Sequence, residues 1–234
     1  MKNQQDSVEK LEQWREASKK EIETNSYPKW PSETMLKIIF GSSYLKDRLQ
    51  PSAQWRVLDV GCGYGNNLVA FSDIGAECHG VEVHGEITTK ASALMVKRGF
   101  PSEFKVGSNR SIPYPDNHFD LVLSVNALHY ESTEELIDDA FIEFNRVLKP
   151  GGSLYLSTVG PEHTIQKRAK KVSPHTYLID NFDFRDGSKF YFFETESYLL
   201  KYCEKFFSSV EVGRVTEKLM NLPVDFLIAV CKKA

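Results

Sequence analysis

From Trp55 onward, short apolar runs rich in β-branched residues alternate with stretches whose apolar residues recur at helical spacing. Trp55–Gly61, Glu77–Val83, Ser102–Gly107, Phe119–Val125 and Ser153–Val159 read as strands. Between them, Leu68–Ile74, Glu86–Lys97 and a run through Leu136, Ile137, Phe141, Phe144 and Leu148 read as helices. Ser132 and Glu135 form a capping box that opens the third helix, and Pro150-Gly151-Gly152 stops it. Strand and helix in regular alternation build βαβ units, so the pattern predicts an α/β fold with a doubly wound, mostly parallel sheet. Thr195 caps one more helix through Tyr198, Leu199, Leu200, Tyr202 and Phe206, and two closing strands, near Ser209–Val215 and Asp225–Cys231, bring the sheet to seven.

Two stretches stand outside this rhythm. Residues 1–54 read as an N-terminal helical cap ahead of a sheet domain over 55–234. The cap contains an amphipathic segment from about Ser7 to Glu23, an aromatic elbow Tyr27-Pro28-Lys29-Trp30-Pro31, and a short helix from the N-cap Ser32 through Met35, Leu36, Ile38 and Ile39 to Gly41. Tyr27 and Trp30 are expected to pack the cap onto the core, with closure over a ligand as the other reading. Residues 160–193 form an insertion after the fifth strand. Its basic run Gln166-Lys167-Arg168-Ala169-Lys170-Lys171 reads as a solvated face. Asp186-Gly187, set among aromatics from Tyr177 to Phe193, signals a β-hairpin. A three-residue loop, Asp186 to Ser188, would place Phe184 opposite Phe190 and Phe182 opposite Phe192. Such a ring-covered face suits a flap on the sheet, a lid over a substrate pocket, or the contact of a homodimer.

Composition narrows the partners. A formal net charge of -3 supplies no electrostatic attraction for nucleic acid or an anionic membrane, and small or neutral substrates fit better. Cys62, Cys78, Cys203 and Cys231 form no C-x-x-C pair, and no charged segment followed by an apolar run opens the sequence, so reduced thiols in a cytoplasmic protein are expected. The apolar runs are too short to span a bilayer.

The chemistry concentrates in Val57-Leu58-Asp59-Val60-Gly61-Cys62-Gly63-Tyr64-Gly65-Asn66-Asn67, where a strand enters a turn with three glycines and a helix leaves it. Glycines let a ligand approach the backbone, and the helix turns its free N–H groups toward the loop. A dinucleotide fingerprint would need its third glycine at Asn66, whereas here it falls at Gly65. Glu82, about 20 residues on at the end of the second strand, suits an acid that accepts both ribose hydroxyls.

Asp59-Val60-Gly61-Cys62-Gly63-Tyr64-Gly65 resembles the D/E-x-G-x-G-x-G loop of the class I S-adenosylmethionine-dependent methyltransferases, and Glu82 resembles that family's ribose-binding acid. Gly107-Ser108-Asn109, Ile112 to Val122 and Arg146 to Gly152 are similar to its later motifs, in order. The resemblance covers Trp55 to Val159 and leaves the cap and insertion uncovered. It implies a Rossmann-like methyltransferase fold, S-adenosyl-L-methionine as cofactor and a small-molecule methyl acceptor, methylated at oxygen or nitrogen. Methylation of a protein, or a binding module without turnover, are the other readings. It also implies a cofactor seat of Asp59, Gly61, Cys62, Gly63, Asn66, Glu82, Val83, Ser108, Asn109, Arg110 and Val125. In this seat Asp59 orients the methionine end, Val83 packs on adenine, and Ser108 to Arg110 border the base. The family often places an acid where this chain has Ser108, so Asn109 or backbone atoms take over its bond to the adenine amino group. His129, just after the fourth strand, is the candidate base, and Tyr130 the candidate acceptor wall. No metal-ligand spacing joins the histidines to the cysteines, and no G-x-S-x-G elbow is present.

Overall fold

The computed structural model describes residues 29–181, 185–220 and 222–234; the expected helix near Ser7–Glu23 and the side chains of Tyr27, Phe182 and Phe184 lie outside them. The first described helix, α1 (Glu33–Phe40), starts where Ser32 Oγ accepts the Met35 N–H and stops at Gly41, as its capping residues predict. Then follow β1 (Arg56–Val60), a 3-10 turn (Asn66–Leu68), α2 (Val69–Asp73), β2 (Glu77–Glu82), α3 (Gly85–Lys97), β3 (Glu103–Val106) and β4 (Phe119–Val125). A second 3-10 turn (Leu128–Tyr130) leads to α4 (Glu134–Val147) and β5 (Leu148–Val159). The insertion holds α5 (Thr164–Arg168), β6 (Lys170–Ser173), β7 (Thr176–Leu178) and β8 (Lys189–Tyr191), and α6 (Glu196–Cys203), β9 (Ser209–Leu219) and β10 (Leu222–Lys232) follow.

The main sheet has seven strands in the order β3-β2-β1-β4-β5-β10-β9. β1 to β5 run parallel, and β10 lies antiparallel between β5 and β9. Side chains alternate between faces, so β1 sends Val57 to one apolar layer and Leu58 and Val60 to the other. Met35, Ile39, Phe71 and Met95 from α1, α2 and α3 bury themselves with Val57, Leu121 and Leu123. Ile137, Phe141 and Phe144 of α4 and Leu199 and Tyr202 of α6 fill the opposite layer.

Several local expectations are corrected. The N-cap of α4 is Thr133, whose side chain accepts the Leu136 N–H, and not Ser132; the carbonyl of Ser132 is held by Thr176 Oγ1 at 2.8 Å. The strand after α4 begins at Leu148 rather than Ser153, because Pro150-Gly151-Gly152 bulges within β5 between the pairs Phe119–Leu148 and Leu121–Ser153. The insertion is more than a hairpin: β6, β7 and β8 form a separate three-stranded sheet. Its register differs too. Phe190 lies opposite Tyr177, not Phe184, because the loop runs from Ile179 to Ser188, closed by Ile179 N–H to Ser188 O at 2.8 Å and Gly187 N–H to Ile179 O at 3.0 Å. Trp30 does not pack onto the core and is 84% exposed. The closing strands are also longer than expected. Residues 222–225 of β10 pair with β9 alone, so this hairpin projects past Val159 on the side where the parallel strands end, with Met220 near its exposed tip.

Phe141 is fully buried and packs against Phe144, Tyr202, Phe206 and Phe207. Phe141→Ala is expected to lower unfolding stability by about 3–5 kcal/mol, read as a shift of the urea midpoint with the slope unchanged.

Candidate functional site

The parallel strands aim their C-terminal ends at one rim, and the motifs gather there. Beyond Val60 the chain bends back onto β2: the N–H groups of Gly61 and Cys62 donate to Val81 O at 2.8 and 3.1 Å. Gly61 has φ 71°, and a Cβ on it would sit 2.5 Å from the Ala127 Cβ, so the loop after β1 touches the turn after β4. Gly63, at φ 50°, has nothing within 4 Å of the place a Cβ would occupy, which leaves an open cradle. Its N–H donates to Glu82 Oε2 at 3.1 Å, and the Val83 N–H donates to Glu82 Oε1 at 2.7 Å. Burial raises the pKa of the Glu82 carboxyl.

Asp59, under the loop, is fully buried. Its Oδ2 accepts from Asn67 Nδ2 at 3.2 Å, while Oδ1 has no donor among the described residues. Burial first, with the Glu82 charge adding, pushes this carboxyl up to about 7. Asn67 Oδ1 accepts the Ser32 N–H at 3.0 Å, tying the start of α1 to the loop. Asn66 accepts from Arg98 Nη1 at 3.0 Å, and Arg98 Nη2 donates to Lys29 O at 3.4 Å. Cys62 is buried, which raises its thiol pKa well above the ordinary value and removes it as a nucleophile.

The neighbouring wall follows β3. Gly107 N–H donates to Glu82 O at 3.0 Å, and Ser108 and Ser111 exchange backbone bonds at 3.1 and 3.2 Å, folding residues 108–111 into a tight turn beside Val83, which is 40% exposed. Asn109 Nδ2 donates to Ala127 O at 3.3 Å and to Glu131 Oε1 at 3.2 Å, and Arg110 Nε donates to Glu131 Oε2 at 3.0 Å. Past Val125, Asn126 takes φ 55°, its N–H bonded to Ser157 O at 2.9 Å and its Oδ1 accepting from Ser157 Oγ at 3.0 Å.

His129 and Tyr130 lie apart from that wall, against the insertion. Their rings are 4.5 Å apart by centroid, and Phe190 sits 5.2 Å from His129 and 4.6 Å from Tyr130. His129 is 3% exposed, and burial, with Arg185 adding, pulls its pKa down to about 3, so it is a neutral ring at ordinary pH. The structure thus brings together Asp59, Gly61, Cys62, Gly63, Asn66, Glu82, Val83, Ser108, Asn109, Arg110 and Val125 on the ends of β1 to β4, and sets His129 and Tyr130 on the side of β8. Glu131 escaped the sequence reading because it lies in no spaced motif and matters through partners distant in sequence, and Asn67, though it closes the glycine stretch, was given no role there. Among the described residues no cluster of histidine, cysteine and carboxylate side chains suits a metal ion, and no helix is long and apolar enough to cross a membrane.

The sheet order, the glycine turn and the acid at the end of β2 are those of the Rossmann-like methyltransferase fold. Residues 58–156 match the family described as a methyltransferase domain. An uncharacterized methyltransferase of Bacillus subtilis is 36% identical over 105 residues, 44% of this chain and 40% of the relative. An ajmaline N-methyltransferase of Rauvolfia serpentina is 34% identical over 43% of this chain and 34% of its own length. A tRNA N(3)-cytidine methyltransferase of Bos taurus is 29% identical over 61% of this chain and 39% of its own. The chain therefore spans well under half the length of these relatives. A crystal structure of a methyltransferase from Methanosarcina mazei has the same fold, with a TM-score of 0.63 and 20% identity over 79% of this chain and 94% of that one.

Asp59 makes stability depend on pH. An unfolded aspartate loses its proton near 3.8, whereas this one holds it to about 7, so its contribution is fully present below pH 3.8 and is lost as pH rises through 7. Asp59→Asn is expected to unfold at higher temperature than the wild type at pH 8, by roughly 3 kcal/mol in stability, with the gap closing toward pH 5. Thermal unfolding of both proteins across that range reads the difference.

Proposed function

We propose that the chain moves a methyl group from S-adenosylmethionine to a small-molecule acceptor, at oxygen or nitrogen. The observation that carries this reading is the joint of glycine loop and acid: Gly63 holds an open face toward solvent while its N–H fixes the Glu82 carboxylate at the end of β2. The residues suit this cofactor. Asp59 and Glu82 are acids, the loop from Gly61 to Gly65 has no lysine or arginine, and Asp59 Oδ1 is a buried acceptor awaiting a donor. Such a seat favours a cationic ligand with ribose hydroxyls over a pyrophosphate.

When bound, S-adenosylmethionine supplies a methyl carbon made electrophilic by its sulfonium. The chain's own part is chiefly positioning. Asp59 holds the methionine end, Glu82 takes the ribose hydroxyls, Val83 and the 108–111 turn border the base, and Val125 offers backbone at the end of β4. Met35 and Ile39 of α1 pack the described part of the cap onto the sheet, and β8 of the insertion closes the acceptor side, where Phe190 packs against His129 and Tyr130. His129 serves there as a neutral wall and hydrogen-bonding ring, since a ring whose pKa is pulled down to about 3 is too weak a base to keep a proton it takes at neutral pH. A small acceptor agrees with the net charge of -3 and with the named activity of the ajmaline relative; the tRNA relative shows how far substrates diverge on this domain.

Calorimetric titration with S-adenosylmethionine, S-adenosylhomocysteine and NAD tests the cofactor. Both sulfur nucleosides are expected to bind and NAD to give no response, with Glu82→Ala weakening S-adenosylhomocysteine about 10- to 100-fold. Binding of NAD alone would refute the reading. For His129, a methyl-release assay over an acceptor panel should give a pH–rate profile between pH 6 and 9 with the same inflections in the wild type and in His129→Ala; a basic limb that disappears with the imidazole would restore it as the base.

A further inference from the structure

We infer that Glu131 is a positioning residue that locks the Asn109 amide so that its carbonyl oxygen receives the adenine amino group. The inference rests on the cofactor reading above and extends it to how the base is chosen. The amide of Asn109 has both its N–H groups spent, one on Ala127 O at 3.3 Å and one on Glu131 Oε1 at 3.2 Å. The Ala127 carbonyl only accepts, and so does the Glu131 carboxylate where Arg110 holds its charge against burial, so a flipped amide would press its oxygen against two acceptors. The orientation is therefore dictated by chemistry. It leaves Asn109 Oδ1 shielded from solvent and without a donor among the described residues, an arrangement that calls for an N–H group from a ligand.

Glu131 is itself held in place. Its Oε2 takes Arg110 Nε at 3.0 Å, which frees Oε1 for Asn109, and its backbone carbonyl takes the Tyr191 N–H of β8 at 2.9 Å. The turn carrying Asn109 lies next to Val83, because Gly107 bonds back to the carbonyl of Glu82. A purine resting on Val83 would bring its 6-substituent to this turn. An amino group there satisfies Asn109 Oδ1, whereas a 6-oxo group sets one acceptor against another. Ser108 needs no acid for this selection: the carboxylate sits on Glu131 and works through the amide.

The test compares S-adenosylhomocysteine with its deaminated 6-oxo analogue, S-inosylhomocysteine, by calorimetry on the full chain. The wild type is expected to prefer the amino form about tenfold. Glu131→Ala lets the amide turn its N–H toward the 6-oxo group, so the preference should fall to within about twofold. Glu131→Gln keeps an acceptor oxygen for Asn109 and should retain the preference, which a purely structural loss would not. Asn109→Ala removes the acceptor, leaves Glu131 in place, and should also abolish the preference. If S-adenosylhomocysteine binds but the wild type does not discriminate, or Glu131→Ala discriminates as well as the wild type, the role of Glu131 is overturned and the cofactor reading stands. If S-adenosylhomocysteine does not bind the folded wild type, both fall.

Discussion

The rim of the sheet depends on one short contact, the Gly63 N–H on the Glu82 carboxylate at 3.1 Å. It joins the end of β1 to the end of β2 at the point where the loop leaves its own strand, and the bonds from Gly61 and Cys62 to Val81 O complete the seam. A side chain at Gly61 would drive this seam into Ala127, so the loop after β1 and the turn after β4 can only keep their places together. The rest of the site is arranged in relation to that seam. Asp59 lies beneath it, Asn66 and Asn67 brace it from the following turn, and the 108–111 turn leans on the carbonyl of Glu82.

Burial moves pKa values in opposite directions on the two sides of the rim and on both disfavours charge. On the glycine-loop side it raises the carboxyl pKa values of Asp59 and Glu82, storing free energy that a cationic ligand can release by restoring their charge. On the insertion side it strips His129 of its proton, and Tyr130 and Phe190 pack against the ring. On both sides burial favours the uncharged form, and only a ligand of opposite charge on the carboxyl side reverses it.

Much of this was legible in the sequence because it rests on local pattern. β4 falls on Phe119–Val125 as read, α1 obeys its Ser32 cap, and the glycine spacing marks a turn whose three glycines all take positive φ. What was not legible rests on contacts between distant residues. Ser132 and Thr133 are equally able to cap a helix, and Thr176 of the insertion decides between them by claiming the carbonyl of Ser132. Pro150-Gly151-Gly152 looks like a helix stop and is instead a bulge, stabilised where Gly151 and Gly152 pair with Lys233. Asp186-Gly187 looks like the tip of a hairpin, yet the strands it was to join pair seven residues out of the expected register, since Tyr177 faces Phe190. Glu131 had no motif to announce it, because its role is defined by Asn109, Arg110 and Tyr191 together.

The order of the last three strands bears on how the chain assembles. β10 lies between β5 and β9, yet it is made after both, so β9 reaches the sheet only through a strand that follows it. Until β10 arrives, the flank of β5 from Ser153 to Val159 is an open edge carrying Leu154, Tyr155 and Leu156. Such an edge is a template for pairing with other chains. During synthesis this makes the interval between completing β5 and docking the β9–β10 hairpin the time at which the nascent protein is most exposed to aggregation, and every residue added to the intervening insertion lengthens it.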